Sequence, residues 1–480
     1  MRSFIIRLML TMFALLLVAP GVAEADAISL GSRLELFVDT YIIEAMEGCS
    51  LKLHPPIPAE TVLKFDAPWE GEYSAYVTVI KDGELYRLYY RGMPEVGGDG
   101  SASENTCYAV SADGIHFVKP DLGLFEVHGT RDNNAVLHNA APLSHNFAPF
   151  VDNRPNVAPE HRYKALGGIA SSGLVAFVSP DGIHWSKLRE EPVITQGKLD
   201  SQNVAFWSES EGRYVCYLRT FTADKIRTVS RCESDDFITW TDIVPMDFGD
   251  TKPEHLYTNQ TVPYFRAPHM YVGVAARFMP GRRVVSESTM SELGGDARYS
   301  GDCSDAVLLT SRGGTRYDRT FMEAFVRPGI GANNWTSRTN YPARGIVPTG
   351  HNEMSMYVQR NYGQKSHHLQ RLVMRTDGFA SLNTPYAGGT ATTRPVTFEG
   401  TELVLNCSMS AAGAMWVELQ DAHGTPLPGF SRADCDEIVG DEIARKVTWR
   451  NSSDVSSLKG KPIRLRFEMR DLDLYSFRFQ

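Results

Sequence analysis

The chain has 480 residues, of which 42% are hydrophobic and 22% are charged, and its formal net charge is −9. This is the composition of a globular protein that is long enough for more than one domain. The acidic balance and the lack of any basic block argue against nucleic acid as a partner.

The N-terminal segment is typical of a secretory signal peptide. Arg2 and Arg7 flank an apolar run at 8–18, and Ala23 and Ala25 have the spacing of a cleavage site. No other run reaches the roughly 20 apolar residues of a membrane span. We predict that residues 1–25 are a signal peptide and that the mature protein is a secreted or periplasmic monomer without membrane contact. The alternative is an uncleaved anchor.

A short polar turn recurs five times along the chain. SADGIHF at 111–117 is almost repeated by SPDGIHW at 179–185, and SDDFITW at 234–240 is a third copy. SRGGTRY at 311–317 and RTDGFAS at 375–381 are degenerate copies. Asp-Gly between strand-like runs is a hairpin signal, because Gly accepts positive φ and Asp caps its own turn. Five copies indicate a repeated structural unit.

Each unit also contains a hairpin built from β-branched and aromatic residues. The five hairpins lie at 73–92, 147–168, 203–220, 261–278 and 353–378. A further strand leads into each polar turn and another follows it, which gives about four strands per unit. Repeated units of four antiparallel strands are typical of a β-propeller, so we predict five blades.

The pattern changes near Arg394-Pro395. The segments GTELVLNCSMSAAGAMWVELQD and KPIRLRFEMRDLDLYSFRF alternate as strands do but lack the polar turn. The predicted fold class is therefore all-β, with a five-bladed β-propeller at 26–395 and a C-terminal β-sandwich at 396–480. The cysteines are scattered without C-x-x-C spacing, so they predict no metal site.

In a propeller, the residues before the innermost strand of each blade and those at the end of its second strand meet at one rim of the central channel. Four of the five blades bring a carboxylate to the first of these positions. The residues before the inner strands are Glu70, Glu72, His145, Asn146, Asp200, Glu254, His255, His351 and Glu353. The ends of the second strands add Arg91, Arg219 and Arg277.

Converging carboxylates repel one another when all are ionised, so at least one of them should have a raised pKa. Glycosidic cleavage needs a protonated acid beside an ionised partner. Any single acid could equally cap a turn, and the arginines could form ion pairs with the acids without touching a substrate. Their functional role would be a clamp for hydroxyl groups, or for a carboxylate or sulfate on the ligand.

These features resemble a known group of enzymes. Five blades, acids before the inner strands, S-x-D-G-x-x-W-like turns and a C-terminal β-sandwich are similar to the secreted five-bladed glycoside hydrolases of the invertase, levanase and arabinanase type. The turns also resemble the sialidase Asp-box, S-x-D-x-G-x-x-W, with one residue missing. The resemblance is to a divergent member, because APWEGEYSAY replaces the invertase W-M-N-D-P-N-G opening and no R-D-P is present.

The resemblance implies roles for individual acids. Glu72 corresponds by position to the nucleophile or base, with Glu70 as its rival. Asp200 corresponds to the transition-state stabiliser, and Glu254 to the general acid, with Glu353 as the rival acid. No cofactor is implied, although the resemblance allows a structural calcium ion in the channel.

We therefore predict a secreted glycoside hydrolase that cleaves an oligo- or polysaccharide with a pair of carboxylates at the propeller axis. The carbohydrate could be neutral or anionic. Arg338, just before the fifth hairpin, could reach the rim or brace a loop. Two alternatives stay open: a non-catalytic carbohydrate-binding propeller, and a lyase of uronic-acid polymers whose arginines neutralise a carboxylate.

Overall fold

The computed structural model describes residues 27–95 and 97–480. The predicted signal peptide lies outside the described residues. The strands in chain order are β1 (Ile28–Gly31), β2 (Glu35–Leu36), β3 (Ile43–Glu47), β4 (Ser50–Leu53), β5 (Ile57–Lys64), β6 (Ala75–Asp82), β7 (Leu85–Gly92), β8 (Asn105–Ser111), β9 (Ala135–Leu137), β10 (Ala148–Val151), β11 (Tyr163–Gly167), β12 (Val175–Ser179), β13 (Ser186–Lys187), β14 (Val204–Ser208), β15 (Arg213–Phe221), β16 (Arg227–Ser234), β17 (Val244–Pro245), β18 (Val262–Tyr264), β19 (Ala267–Met279), β20 (Cys303–Ser311), β21 (Val347–Pro348), β22 (Glu353–Arg360), β23 (His368–Arg375), β24 (Ala380–Thr384), β25 (Gly389–Thr393), β26 (Val396–Phe398), β27 (Leu403–Asp421), β28 (Asp441–Lys446) and β29 (Ile463–Phe479).

Within residues 27–95 and 97–480, helical structure is limited to short segments between strands. The α-helix α1 (Glu287–Glu292) and the 3-10 turn Ala297–Ser300 lie together in the connection between β19 and β20. The other 3-10 turns are Pro159–His161, Ala332–Asn334 and Ser456–Leu458. The described residues contain no helix whose length and apolar character would let it cross a bilayer.

Five small antiparallel sheets form the predicted five-bladed propeller. The blades are β6–β9, β10–β13, β14–β17, β18–β20, and the set β21, β22, β23 and β5. The innermost strands β6, β10, β14 and β18 are neighbours in that order, and β21 lies beside β6. Aromatic side chains fill the space between blades, as where the rings of Phe206 and Tyr271 meet edge to face at 5.1 Å.

The ring is closed by a strand from the other end of the chain. The outer strand of the fifth blade is β5, which pairs antiparallel with β23 from His368 opposite Lys64 to Val373 opposite Ile57. A segment that precedes the first blade therefore completes the last one. This pairing hides what would otherwise be an open sheet edge.

The recurring polar turn has the same hydrogen bonds in the first three blades. Asp181 Oδ1 accepts from the backbone N–H groups two and three residues further on, each at 2.9 Å, and from the hydroxyl of Ser179. Asp113 and Asp236 make the same set of bonds. Burial alone would raise the pKa of Asp181, but these donors outweigh it and lower the pKa to about 2. The repeat seen in the sequence is therefore a repeat of local structure.

The two degenerate copies have lost this geometry. Gly313 stands where the aspartate would be, and the turn keeps a bond from its backbone N–H to Ser311 Oγ at 3.2 Å. In the last copy, Asp377 instead accepts from Tyr264 at 2.6 Å and from Ser476 at 2.7 Å. Because Tyr264 belongs to the fourth blade and Ser476 to β29, this carboxylate joins the propeller to the C-terminal sheet.

The remaining strands form one ten-stranded sheet that folds over on itself. The rings of Phe467 and Phe477, both on β29, have centroids 6.3 Å apart. Ten residues of straight strand would separate them by about 33 Å. The strand is therefore bent back, and Phe37 packs against both rings, at 6.1 and 5.7 Å. The result is a two-layered, sandwich-like arrangement around a single core.

The ten-stranded sheet includes strands from before residue 395, where the sequence predicted the start of a separate domain. β24 and β25, at 380–393, pair with β29, and β1 to β4, at 28–53, belong to the same sheet. Hydrophobic alternation shows that a segment is a strand but does not identify the strand it pairs with. The N-terminal segment thus contributes to both the sandwich-like sheet and the propeller.

The turn in the third blade offers a matched test of the aspartate bonds. Asp236 Oδ1 accepts from the backbone of Ile238 and Thr239 at 2.8 and 2.7 Å, whereas its neighbour Asp235 is exposed. We expect Asp236→Ala to lower the free energy of unfolding by about 1–2 kcal/mol and Asp235→Ala by less than about 0.5 kcal/mol. Chemical denaturation measures both, and equal effects would contradict a structural role for the repeated aspartate.

Candidate functional site

Residues before the inner strands meet the ends of second strands around a pocket with about 430 Å³ of empty space, part of it open to solvent. We call it the rim pocket. Its wall is mostly aromatic, and its tyrosines are Tyr73, Tyr76, Tyr257, Tyr299, Tyr341 and Tyr362. Its ionisable side chains other than tyrosine are Arg91, Asp99, His145 and Arg338. Aromatic faces with a few fixed polar groups are typical of small-molecule and saccharide sites.

Two buried glutamines, Gln202 and Gln260, connect the inner parts of several blades. Gln260 Nε2 donates to Gln202 Oε1 at 2.7 Å and to the carbonyl of Pro342 at 2.9 Å. Gln202 Nε2 in turn donates to Thr78 Oγ1 at 2.8 Å. These bonds link four of the five blades to one another.

Asp200 lies beside the pocket on a loop that is held by its backbone. Asn146 Nδ2 donates to the carbonyls of Leu199 and Ser201, at 2.5 and 2.8 Å. The Asp200 carboxylate then pairs with Arg219 at 2.5 Å. Asn146 was predicted to bind substrate, but its amide group is committed to this loop. Its position makes it a positioning residue for Asp200.

Arg91 and His145 form part of the wall together. Arg91 Nη2 donates to the carbonyl of Tyr73 at 2.9 Å, and its guanidinium lies 4.9 Å from the ring of Tyr76. His145 Nδ1 lies 2.8 Å from the buried carboxylate of Glu104, and Arg91 is 3.9 Å from the same carboxylate. Both predicted binding residues therefore face the pocket and are oriented by one buried acid.

Glu72 directly precedes Tyr73, whose side chain lines the pocket, although Glu72 itself is not part of the described lining. Burial raises the pKa of the Glu72 carboxyl, Lys365 opposes this shift, and the negative charge of Asp296 adds to it. Asp296 accepts from the Tyr73 hydroxyl at 3.2 Å. Its hydrogen bonds from Arg298 lower its pKa. Two carboxyl groups beside the same tyrosine thus have pKa values shifted in opposite directions.

Other predicted residues lie away from the rim pocket. Glu70 is fully buried within the first blade, where it accepts from Tyr90 and, at 2.6 Å, from Lys119. Glu254 is bound between Arg277 at 2.7 Å and Arg319 at 2.9 Å. These two acids make structural bonds, and neither contributes to the described pocket lining.

Arg277 and His255 are also used structurally. Arg277 pairs with Asp305 at 2.6 Å in addition to its bond to Glu254. His255 Nδ1 accepts from the backbone N–H of Arg227 at 3.2 Å, and burial together with the Arg227 charge lowers its pKa. The ion-pairing alternative for the three predicted arginines thus describes Arg277 and also Arg219, which pairs with Asp200, while Arg91 lines the pocket.

His351 and Glu353 lie at the opposite rim. The innermost strand of the fifth blade is β21, so the sequence analysis placed the inner strand one strand too late. Glu353 begins β22, and Gln359 near its end lines the rim pocket. Six residues of strand separate the two by about 20 Å. Glu353 accepts from Arg371 at 2.8 Å instead.

The tyrosines and Asp296 were not identified from the sequence. Four of the tyrosines recur within a few residues of the start of an inner strand: Tyr73, Tyr76, Tyr257 and Tyr341. This recurrence is visible in the sequence but does not involve charged residues. Asp296 lies in the long connection between β19 and β20. The length of that connection could have pointed to Asp296 in the sequence, because long loops on a rigid scaffold commonly carry functional groups.

Within residues 27–95 and 97–480, no cluster of three or more His, Cys, Asp or Glu side chains is arranged to hold a metal ion. The calcium ion that the resemblance allows therefore has no such set of ligands in the described part of the chain.

Comparison with known proteins gives structural matches only. No family model and no curated protein matches the chain. An N-acetylgalactosamine deacetylase from F. plautii, solved with blood group B trisaccharide, is 14% identical at a TM-score of 0.44, and the match covers 68% of this chain and 96% of that one. A glycosyl hydrolase from Bacteroides ovatus is 17% identical at a TM-score of 0.39, with 68% and 94% covered.

A third similar structure is a fructofuranosidase from Schwanniomyces occidentalis complexed with fructosylnystose. It is 12% identical at a TM-score of 0.38, and the match covers 88% of this chain and 96% of that one. Solved structures similar to the chain thus include glycoside hydrolases. At this level of similarity, function has to be inferred from the site of this chain itself.

The clamp on the Asp200 loop is testable by an isosteric change. Asn146→Asp replaces two N–H donors with a carboxylate that faces the carbonyls of Leu199 and Ser201. We expect a loss of about 3 kcal/mol in the free energy of unfolding, because a buried charge would face two carbonyl oxygens with only the Gly168 N–H as a donor. Asn153→Asp, at an exposed position, is the control and should change little. Similar stability of the two variants would show that Asn146 does not hold the loop.

Proposed function

We propose that the protein is a glycoside hydrolase that acts on an oligo- or polysaccharide in the rim pocket, outside the cytoplasm. The observation that carries the proposal is the pair of carboxyl groups beside Tyr73, Glu72 with a raised pKa and Asp296 with a lowered one. Two carboxyl groups whose pKa values are pushed apart match the protonated acid and the ionised partner of glycosidic cleavage.

In this proposal Glu72 gives its proton to the leaving oxygen. A proton donor must hold its proton until the bond breaks, and the raised pKa of Glu72 serves that purpose. This differs from the nucleophile or base role that the resemblance implies for the same residue. Asp296, kept ionised by Arg298, would act as the partner that activates water or stabilises positive charge on the sugar.

The tyrosine wall supports a sugar ligand. Six phenol rings offer apolar faces for the C–H surfaces of sugar rings, and their hydroxyls can bond sugar hydroxyls. Asp200, paired with Arg219, supplies a fixed acceptor beside the pocket rather than a mobile one.

The role of Glu72 as proton donor is tested by changing Glu to Gln at Glu72 and, as a control, at Glu353. Glu72→Gln keeps the shape of the side chain but removes its proton, so turnover should fall by at least about 100-fold. Glu353→Gln, at the opposite rim, should leave turnover within about twofold of the parent. Released reducing sugar, measured on a panel of plant and algal polysaccharides, neutral and sulfated, gives the readout.

Three outcomes would contradict the proposal. Equal loss in both variants would remove Glu72 from its role. Products that absorb in the ultraviolet would indicate a lyase, because elimination leaves a double bond. Retention of a polysaccharide without any turnover would indicate a binding propeller.

The pH profile gives a second test of the proton donor. An acid that must be protonated loses activity as pH rises through its pKa, so the alkaline limb of kcat/KM should lie above pH 4.5, the ordinary value for Glu72. Lys365 favours the ionised form of Glu72, so Lys365→Met should raise that pKa and move the limb to higher pH. Lys461→Met, at an exposed position in the C-terminal sheet, is the control. A limb that stays in place, or moves to lower pH, would exclude Glu72 as the titrating group.

A further inference from the structure

Three arginines surround the rim pocket, and their charges are balanced differently. Arg219 pairs with Asp200 at 2.5 Å, and Arg91 lies 3.9 Å from Glu104. Within the part of the chain that the structure describes, Arg338 has no carboxylate within ion-pairing distance. Its positive charge is therefore the one at this site that protein acids leave uncompensated.

Aromatic rings take the place of an acid around Arg338. Its guanidinium carbon lies 5.4 Å from the ring centre of Tyr299 and 6.0 Å from those of Tyr257 and Tyr362. Ring faces attract a cation but leave its N–H groups without acceptors. The fork of donors on a guanidinium matches the oxygens of a carboxylate or sulfate. The box of tyrosines thus holds the cation and leaves its donors for another group.

The backbone that carries Arg338 is fixed in an unusual conformation. Arg338 has φ of 58° and Asn340 has φ of 71°, both in the left-handed region that non-glycine residues rarely adopt. Gln359 Nε2 donates to the Arg338 carbonyl at 2.8 Å. Asn340 Nδ2 donates to the carbonyls of Ser304 and Asn334 at 2.8 and 2.9 Å. Strain of this kind persists where surrounding bonds over-determine it, and it is common at ligand sites.

We propose that Arg338 binds an anionic group on the saccharide, either the carboxylate of a uronic acid or a sulfate ester. The inference rests on the proposed function only in taking the ligand to be a saccharide. An anion between the fork of Arg338 and the tyrosine hydroxyls would supply the missing acceptors. It would also make the pocket discriminate against the neutral form of the same sugar, whose binding would leave the guanidinium donors unpaired.

The test measures binding to matched pairs of polysaccharides by affinity electrophoresis. The pairs are polygalacturonate with its methyl ester, and carrageenan with its chemically desulfated form. The full chain carrying Glu72→Gln is used, so that the polysaccharides stay intact. We expect at least one acidic member to be retained about tenfold more strongly than its neutral counterpart, and the pair that shows this distinguishes carboxylate from sulfate.

The Arg338→Gln change in the same background should abolish that preference, chiefly by lowering retention of the acidic member. Arg227→Gln is the matched control, because Arg227 stacks on the same Tyr257 ring at 5.3 Å but lies outside the described lining of the pocket. It should keep the preference. Arg338→Lys, which keeps the charge but not the fork, should lose part of it.

Equal retention of acidic and neutral members in every pair, including no retention of either, overturns the inference. So does a preference that survives Arg338→Gln, since the charge would then be recognised elsewhere. The result is separable from the proposed function. A preference lost with Arg338 but unaccompanied by any hydrolysis in the parent protein would leave an anionic-saccharide site and remove the hydrolase.

Discussion

The pairing of β5 with β23 is the constraint on which the site depends. Blades of a propeller can face one axis only when the ring is closed, and here closure uses a strand from before the first blade. It brings the first and fifth blades together, so that Tyr73 and Tyr362 meet with ring centres 6.1 Å apart. Residues almost 300 positions apart in sequence become opposite parts of one pocket wall. The same segment continues into the C-terminal sheet, which covers that closure.

Near the axis, the buried amide side chains have hydrogen-bond partners, and several backbone positions have an unusual conformation. Gln202 and Gln260 bond each other and the neighbouring backbone, and Asn146 bonds the Asp200 loop. Three inner-strand starts nevertheless hold a non-glycine residue in the left-handed region: Tyr76, Gln260 and Arg338. Such strain costs of order 1–3 kcal/mol at each position, which the surrounding hydrogen bonds must offset. The rim is therefore rigid where a ligand would meet it, and Tyr76 and Arg338 are pre-positioned.

The sequence was sufficient for the repeat, because the SxDG turn is a local motif whose hydrogen bonds involve residues two and three apart. It was also sufficient to place Arg91, His145 and Glu72 near one rim, since each follows from the position of a hairpin. Long-range pairing was not accessible, so β5 and β24 could not be assigned to their sheets. The fifth blade shows the consequence. The irregular segment before β21 does not look like a strand in sequence, and Glu353 was consequently placed at the rim opposite to its actual position.

Charge alone is a poor guide to function in this fold, and the contrast between Glu254 and Glu72 shows why. Both precede a blade, but Glu254 lies between Arg277 and Arg319 and is compensated by two cations. Both oxygens of that carboxylate are therefore occupied by bonds within the protein. Glu72 is partly buried, faces the negative charge of Asp296 and has only Lys365 to oppose the rise in its pKa. Arg338 differs from Arg277 in the same way, since one has aromatic neighbours where the other has acids. The groups available for chemistry are those whose charge the fold leaves uncompensated, and this rim carries two of them: the Glu72 carboxyl, whose pKa burial raises, and the Arg338 cation, which has no acid beside it among the described residues.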